Sequence, residues 1–463
     1  MKRIAGKLLL QLLLSLFAGF VGYKIGLNFS QSLSLGVFAL SILGTVFFWD
    51  FRLSFAFLGT SLLLLTRTID LENLIKFSSL EVILFLVGMM VLIGFLKEAG
   101  FFAWLVSLIL RRKKLTATKF LISISLISAL LACAVDEVTS IIFMVVAILE
   151  ICDYFEVNPV PFIISSVLAT NIGSSGTVLG NPIGILIAAK SGLTFEDFLF
   201  KAFPVMLVCL VLSIFVTSFW YRNSLKELDK KIEELGMNEI LIRLISLPPE
   251  KTLKFALGIF VITLGFISLH HRLEVIWGLA PNTVLLIVPL ISSGLVMFWR
   301  WRKARTYIEK DVEWWTLLFF LMLFAQSGTL KYSGATDIFA QRISALVGDN
   351  LVFLTGFLLW LSCFGSSILD NVVLVSAFIP VVQGFASLGF SLQPLWWALL
   401  FGGCYGGNIT LVGSTANIVA LGLLEKEKRI RIKFFQWLGI GLVVGMVTTA
   451  LAWVYLAFTN PRM

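Results

Sequence analysis

Nine predominantly apolar stretches of 16 to 27 residues run along the chain, at 7–26, 33–50, 53–68, 79–97, 198–220, 254–270, 280–300, 313–331 and 433–459. About 20 apolar residues wound as a helix cross the ~30 Å hydrocarbon layer of a bilayer, where non-helical backbone has no water to satisfy it. Two longer apolar stretches, about 115–190 and 345–425, do not divide into such spans, because Gly, Asn, Ser, Asp and Pro interrupt them. Composition removes the competing classes. The chain is 59% hydrophobic and only 14% charged, against about 25% charged in soluble domains. It lacks the polar groups to cover a water-facing surface, which excludes a soluble enzyme, a nucleic-acid binder, a disordered chain and a disulfide scaffold. The expected fold is an all-α polytopic membrane protein of about 11 transmembrane helices, with the lipid bilayer as its main partner and no nucleic acid.

The net charge of +9 is distributed between the apolar stretches. Twenty-five Lys and Arg fall in the amino terminus, at Arg52, at Arg111–Lys114, and in the segments 222–254, 300–310 and 426–433. Nine fall in the alternate loops (Lys24, Arg67, Lys76, Lys190, Lys201, Arg272, Lys331, Arg342 and Arg462). Cytoplasmic loops carry the basic excess, so a cytoplasmic N-terminus in the inner membrane is expected, and an odd number of crossings puts the C-terminus outside. The apolar run Leu8–Phe20 has no small-residue cleavage site after it and reads as an uncleaved first helix. Cys133, Cys152, Cys209, Cys363 and Cys404 form no CxxC pair and read as reduced, buried hydrophobes, with Cys363 and Cys404 near the second-half motifs. His270-His271 reads as part of an outer loop, and Glu81 and Glu98 as interfacial. HExxH and GxxxxGK[ST] are both missing from the sequence, so a metalloprotease or an ATP-driven pump lacks its machinery. No cofactor is expected beyond a coupling Na⁺ or H⁺.

The two halves match. Ser128…Asp136-Glu137-Val138 parallels Ser362…Asp370-Asn371-Val372, with the Asp pair 234 residues apart. Thr177-Val-Leu-Gly180-Asn181 parallels Thr410-Leu-Val-Gly413-Ser414 at an offset of 233, which Pro161 and Pro394 share. Phe195–Leu199 resembles Phe434–Leu438. The expected organisation is an N-terminal helix (1–30), a first repeat (31–221) and a polar cytoplasmic linker (222–253), then a second repeat (254–460). Each repeat is expected to hold a re-entrant hairpin (about 115–152 and 345–388) and an unwound helix (about 159–190 and 393–425). An odd number of crossings per repeat inverts one against the other, and inverted repeats with broken helices in matching places point to a secondary transporter with a midplane site.

The interruptions supply the candidate site. Asp136, Glu137 and Thr139, with Asp370 and Asn371, read as hairpin tips where half-helix termini, hydroxyls and carboxylates meet. A carboxylate at the bilayer centre costs about 2.5–3.5 kcal/mol even on the lenient scale, so adjacent Asp136-Glu137 favours ion or proton coupling over structure. Asn171, Gly173, Ser174, Ser175, Thr177, Gly180, Asn181 and Pro182 form one unwound segment, matched by Asn408, Thr410, Gly413, Ser414 and Asn417. Gly and Pro unwind the helix there, and Asn, Ser and Thr offer oxygen and amide ligands. A sodium site at Asp136, Asn171, Asp370 and Asn408 is one expectation. No Arg or Lys falls within the four motifs, which weighs against a multiply charged anion.

Ser128-Ala129 with Asp136-Glu137-Val138-Thr139, Asn158–Phe162, Asn171-Ile-Gly173…Thr177…Gly180-Asn181-Pro182, Leu369-Asp370-Asn371-Val372 and Trp396–Leu399 leading to Asn408…Asn417 resemble the ion transporter superfamily. The branch is that of arsenite permeases and sodium–proton antiporters, with a citrate-transporter-like domain. The resemblance implies two inverted repeats, a hairpin-bearing transport domain that moves elevator-fashion against a scaffold, and a homodimer. Glu137 departs from the family's usual Asn, Val373 from Thr or Pro, and Asn181-Pro182-Ile183-Gly184 from Asp-Pro-Pro-Asn. The first departure adds a titratable group. It favours Na⁺/H⁺-coupled exchange, or efflux of a small inorganic ion, as the handling of a small ionic substrate. Sodium-coupled di- or tricarboxylate transport is the alternative, and an intramembrane aspartyl enzyme or a passive channel are distant ones.

Overall fold

The computed structural model describes residues 2–101, 104–105, 116–235, 251–348 and 350–459. The basic run Arg111–Lys114, linker residues 236–250 and Arg462 lie outside the described residues. Among these, nine helices are long and apolar enough to cross a membrane, and three shorter apolar helices accompany them. The protein is an all-helical, multi-pass membrane protein.

The helices, in chain order, are α1 (Lys2–Lys24), α2 (Phe29–Phe47), α3 (Arg52–Leu65), α4 (Leu71–Phe77), α5 (Leu80–Glu98), α6 (Ala117–Ala134), α7 (Glu137–Tyr154), α8 (Val160–Gly173), α9 (Pro182–Ser191) and α10 (Phe195–Trp220). The linker's described part is α11 (Arg222–Leu235). The second half continues with α12 (Lys251–Ser268), α13 (His270–Trp277), α14 (Thr283–Trp299), α15 (Trp314–Tyr332), α16 (Ala335–Val347), α17 (Leu351–Ile368), α18 (Asn371–Gly384), α19 (Gln393–Gly406), α20 (Thr415–Lys428) and α21 (Phe434–Thr459). The apolar stretch at 53–68 forms a helix of only 14 residues, because the chain turns through Arg67 in a left-handed conformation. His270-His271 opens a helix rather than lying in a loop, and His270 is buried against the Ile267 carbonyl.

The duplication extends to whole elements. The pairs α5/α15, α6/α17 and α7/α18 each start 234 residues apart (Leu80 and Trp314, Ala117 and Leu351, Glu137 and Asn371). The pairs α8/α19 and α9/α20 start 233 apart (Val160 and Gln393, Pro182 and Thr415). Side chains choose the ends. Asp136 and Asp370 cap α7 and α18, and Asn181 and Ser414 cap α9 and α20 by accepting from first-turn N–H groups. Pro161, Pro182 and Pro394 stand in first turns, where their missing N–H costs nothing.

Packing crosses the repeats. The first arm of each hairpin lies along its own repeat's broken helix, α6 on α8 and α17 on α19. The second arms exchange: α7 packs on α20, and α18 on α9. Close approach at the first of these contacts depends on glycine. A Cβ on Gly173 would lie 2.3 Å from the Ala129 carbonyl oxygen, and one on Gly406 would lie 2.1 Å from that of Cys363. Around this interlocked centre, α5 packs on α14 and α15 on α3, again as a repeat-related pair.

Candidate functional site

Both hairpins end on a carboxylate that caps the following half-helix. Asp136 accepts from the Val138 and Thr139 N–H groups, each at 2.8 Å. Asp370 accepts from the Val372 N–H at 3.1 Å and from the Thr415 hydroxyl at 2.6 Å. The next residue differs between the tips, and the two residues at that position meet. The Asn371 amide nitrogen donates to both carboxylate oxygens of Glu137, at 3.2 and 3.3 Å. Glu137 is 2% exposed, and Asp370 and Asp136 are the charges that act on it. None of the three carboxylates is in an ion pair among the described residues. Asp136 and Asp370 each cap their own helix.

The unwound segments cross beside this contact. The Asn171 amide nitrogen donates to Asn408 Oδ1 and Asn417 Oδ1, both at 2.9 Å. Asn417 donates in turn to the Gly407 and Thr410 carbonyls at 2.7 and 2.8 Å, which pins the second unwound loop. Asn181 donates to Ser174 Oγ at 3.0 Å and Cys404 Sγ at 3.2 Å, and accepts from Gly184 N–H at 2.9 Å. Ser174 stands next to Glu137, linking the crossing to the tips. Ser175 donates to the Ile172 carbonyl. Thr177 and Thr410 act alike: each hydroxyl donates to a carbonyl at the end of the neighbouring hairpin's first arm, Cys133 and Ser367 respectively. Gly180 and Gly413 let backbone approach Ser174 and Gly407. Among the described residues Asn171 Oδ1, Thr170 Oγ1 and Asn408 Nδ2 are buried without partners, and each such orphan costs about 1–3 kcal/mol unless something fills it.

The four interruptions therefore come together as one polar network, with Asp136, Glu137 and Thr139 reaching a chamber and the Asn171–Asn408–Asn417 cluster behind it. Among the described residues no three His, Cys, Asp or Glu side chains converge to hold a metal ion. An ion resting here would draw its remaining ligands from amides, hydroxyls and carbonyls.

The chamber walls include residues that lie outside the motifs. Beside Asp136, Glu137, Thr139, Asn181 and Pro182 they include Met89, Phe320, Asp311, Glu313, Thr316 and Thr415. An outer chamber shares Val138, Glu313, Thr316 and Thr415 with it and adds Trp49, Asp50 and Arg52. Arg52 is 5% exposed and lies 3.8 Å from the Trp49 ring centroid. A separate cavity carries the opposite sign, lined by Lys76, Lys190, Lys331, Ser327 and Ser376. Two of its lysines are engaged: Lys190 pairs with Glu81 at 3.5 Å, and Lys331 donates to Gln383 at 2.7 Å. The charge count of the sequence places Arg52 in a cytoplasmic loop, whereas the structure buries it against Trp49. All five cysteines are free and buried, and Cys404 and Cys363 accept from Asn181 and Thr449.

The family model of the CitMHS citrate transporters matches residues 43–402. An uncharacterized transporter of Mycobacterium tuberculosis is 30% identical over 382 residues, covering 81% of this chain and 85% of the relative. The human P protein is 24% identical, over 84% of this chain and 54% of its own length. The crystal structure of the Alcanivorax borkumensis YdaH transporter, described as having an unusual topology, is similar in fold. Its TM-score is 0.57 at 16% sequence identity, over 86% of this chain and 88% of that one.

Proposed function

Because the chain belongs to the CitMHS citrate transporter family and is a membrane transporter, we propose that it is an ion-coupled secondary active transporter of a small ionic solute. Glu137, Asp136 and Asp370 bind the coupling Na⁺ or H⁺, and the solute binds in the chamber beside them. The observation that carries this reading is the Glu137–Asn371 contact. A buried carboxylate whose close partners are an amide and a hydroxyl, with no cation among the described residues, carries an uncompensated charge when ionised, and moving it through a low-dielectric centre requires a proton or a cation. Its contact spans the two repeats, so neutralising it changes the interface on which their relative position depends.

The movement is alternating access of the elevator type. The interlocked hairpins and broken helices (α6–α9 with α17–α20) travel as one body against a frame that includes α3, α5, α14 and α15. The basic segments face the cytoplasm of the inner membrane, with the N-terminus inside and the C-terminus outside, and the unit is a homodimer. The family's name makes a tricarboxylate such as citrate one candidate solute, beside exchange of Na⁺ for H⁺ and export of a small inorganic ion.

The test is uphill flux in proteoliposomes offered Na⁺, Li⁺, arsenite, succinate and citrate against imposed proton or sodium gradients. Accumulation of one solute against its gradient, lost when the driving gradient is collapsed, is the expected result. Downhill leak alone, indifferent to either gradient, would overturn the proposal in favour of a channel.

A further inference from the structure

Among the described residues that line the two acidic chambers there is one cation, and its bonding is incomplete. Arg52 sits at the start of α3, outside all four interrupted segments, and is 5% exposed. Its Nη2 reaches the Thr316 hydroxyl at a long 3.4 Å, while Nε and Nη1 are buried with no partner among the described residues. The guanidinium plane is held by two rings, Trp49 at 3.8 Å and Phe319 at 5.1 Å from their centroids. A guanidinium presents its N–H groups as a rigid fork that matches a carboxylate or another planar pair of oxygens. Leaving two of those donors dry is costly, since buried N–H groups are almost always paired.

The carboxylates that face Arg52 do not fill this vacancy. Asp370 at the start of α18, Glu313 before α15 and Asp50 before α3 act on it, yet among the described residues none is in an ion pair with it. Asp136 and Glu137 add further negative charge in the inner chamber, where Asp311 is paired with Lys97 at 3.8 Å. Three carboxylates around one guanidinium, with Asp136 and Glu137 in the adjoining chamber, repel an arriving anion unless something neutralises them first.

We infer that Arg52 receives an oxyanion group of the transported solute, and receives it only after the coupling cation has neutralised the surrounding carboxylates. The inference rests on the transporter reading and deepens it, adding a recognition residue contributed by the frame. It also gives a reason for coupling: cation and anion each raise the other's affinity by the same factor, because each relieves the charge that excludes the other. The solute thus spans two signs, with its oxyanion on the Arg52 fork and its cation partner among Asp136, Glu137 and Asp370.

The test is labelling of full-length protein by phenylglyoxal, an arginine reagent, read at the Arg52 peptide by mass spectrometry. The probes are citrate, succinate and inorganic phosphate, each in sodium or in choline at equal ionic strength, and at neutral and mildly acid pH. At saturating probe, at least one should slow labelling of Arg52 about tenfold, in sodium or at acid pH but not in choline at neutral pH. Protection by no probe, protection equal with and without the cation, or an Arg52 never labelled would each overturn the inference. Protection by phosphatidylglycerol vesicles alone would assign the guanidinium to a lipid headgroup and overturn it as well. In Arg52→Lys, which keeps the charge and loses the fork, the half-saturating concentration of the protecting probe, read from its flux in proteoliposomes, should rise about tenfold. An unchanged value there removes two-pronged recognition. Flux by wild-type protein in the same vesicles separates the readings: transport without protection removes Arg52 alone, and protection without transport removes the transporter alone.

Discussion

The first hairpin tip carries Asp136-Glu137 and the second Asp370-Asn371, and the two positions have diverged differently. The first position does the same work twice, since each aspartate caps the half-helix behind it. The second position bears a carboxylate on one tip and an amide on the other, and these touch across the repeats. Duplication thus supplies the architecture, while the single difference supplies an ionisable group already fitted with its donor. The same contrast holds one layer back. Thr177 and Thr410 bind matching carbonyls, and Gly173 and Gly406 permit matching close approaches. The Asn171–Asn408–Asn417 cluster has no mirror image, because the first repeat offers Gly184 at the place of Asn417 in the 233-residue register.

Erasing the difference should cost most. Glu137→Gln leaves two amides face to face, and coupled uphill flux should fall about a hundredfold, ~2.7 kcal/mol of barrier, with the protein still folded by gel filtration. Retention of full coupling would remove Glu137 from the mechanism. Gly173→Ala and Gly406→Ala drive a methyl into facing backbone at equivalent crossings. Each should lose about 2–3 kcal/mol in detergent unfolding, and a large loss at one crossing only would break the structural equivalence of the repeats. Exchanging the tip residues sharpens the comparison. Glu137→Asn combined with Asn371→Glu should recover coupled flux to about a tenth of wild type, ~1.4 kcal/mol short, whereas Glu137→Asn alone should not. The smallest effect belongs to Thr415→Ala, which removes one hydrogen bond from Asp370 and should weaken cation dependence by about 1 kcal/mol in a flux titration. Thr139→Ala, beside the other aspartate, gives the matched control.

Much of this centre was legible in the chain because polar residues stand out in apolar surroundings. Asp136, Asp370, Asn171 and Asn408 had no reason to sit mid-run unless something used them, and the repeated spacing tied them together. The helix registers of 234 and 233 residues then followed from the motif offsets. What stayed hidden were groups whose sequence context is ordinary. An arginine between two apolar stretches reads as a cytoplasmic-loop charge, so the motifs alone suggested a site without a cation. Only the packing of α3 against α15 brings Arg52 to Thr316. Thr415 and Glu313 are equally plain in sequence and become chamber walls only in the packed structure, Thr415 through the contact of α20 with α7.

That exchange sets a timetable for biogenesis. Glu137 emerges from the ribosome 234 residues ahead of Asn371, an interval of roughly 10–50 s at ordinary elongation rates. For that time α7 lacks α20, α9 lacks α18, and the most buried acid of the molecule has no amide to hold it. The nascent first half must therefore wait, protonated or sheltered by the insertion machinery, for a partner still being translated. Expressed as separate polypeptides, the halves should each be degraded, and co-expression should rescue both.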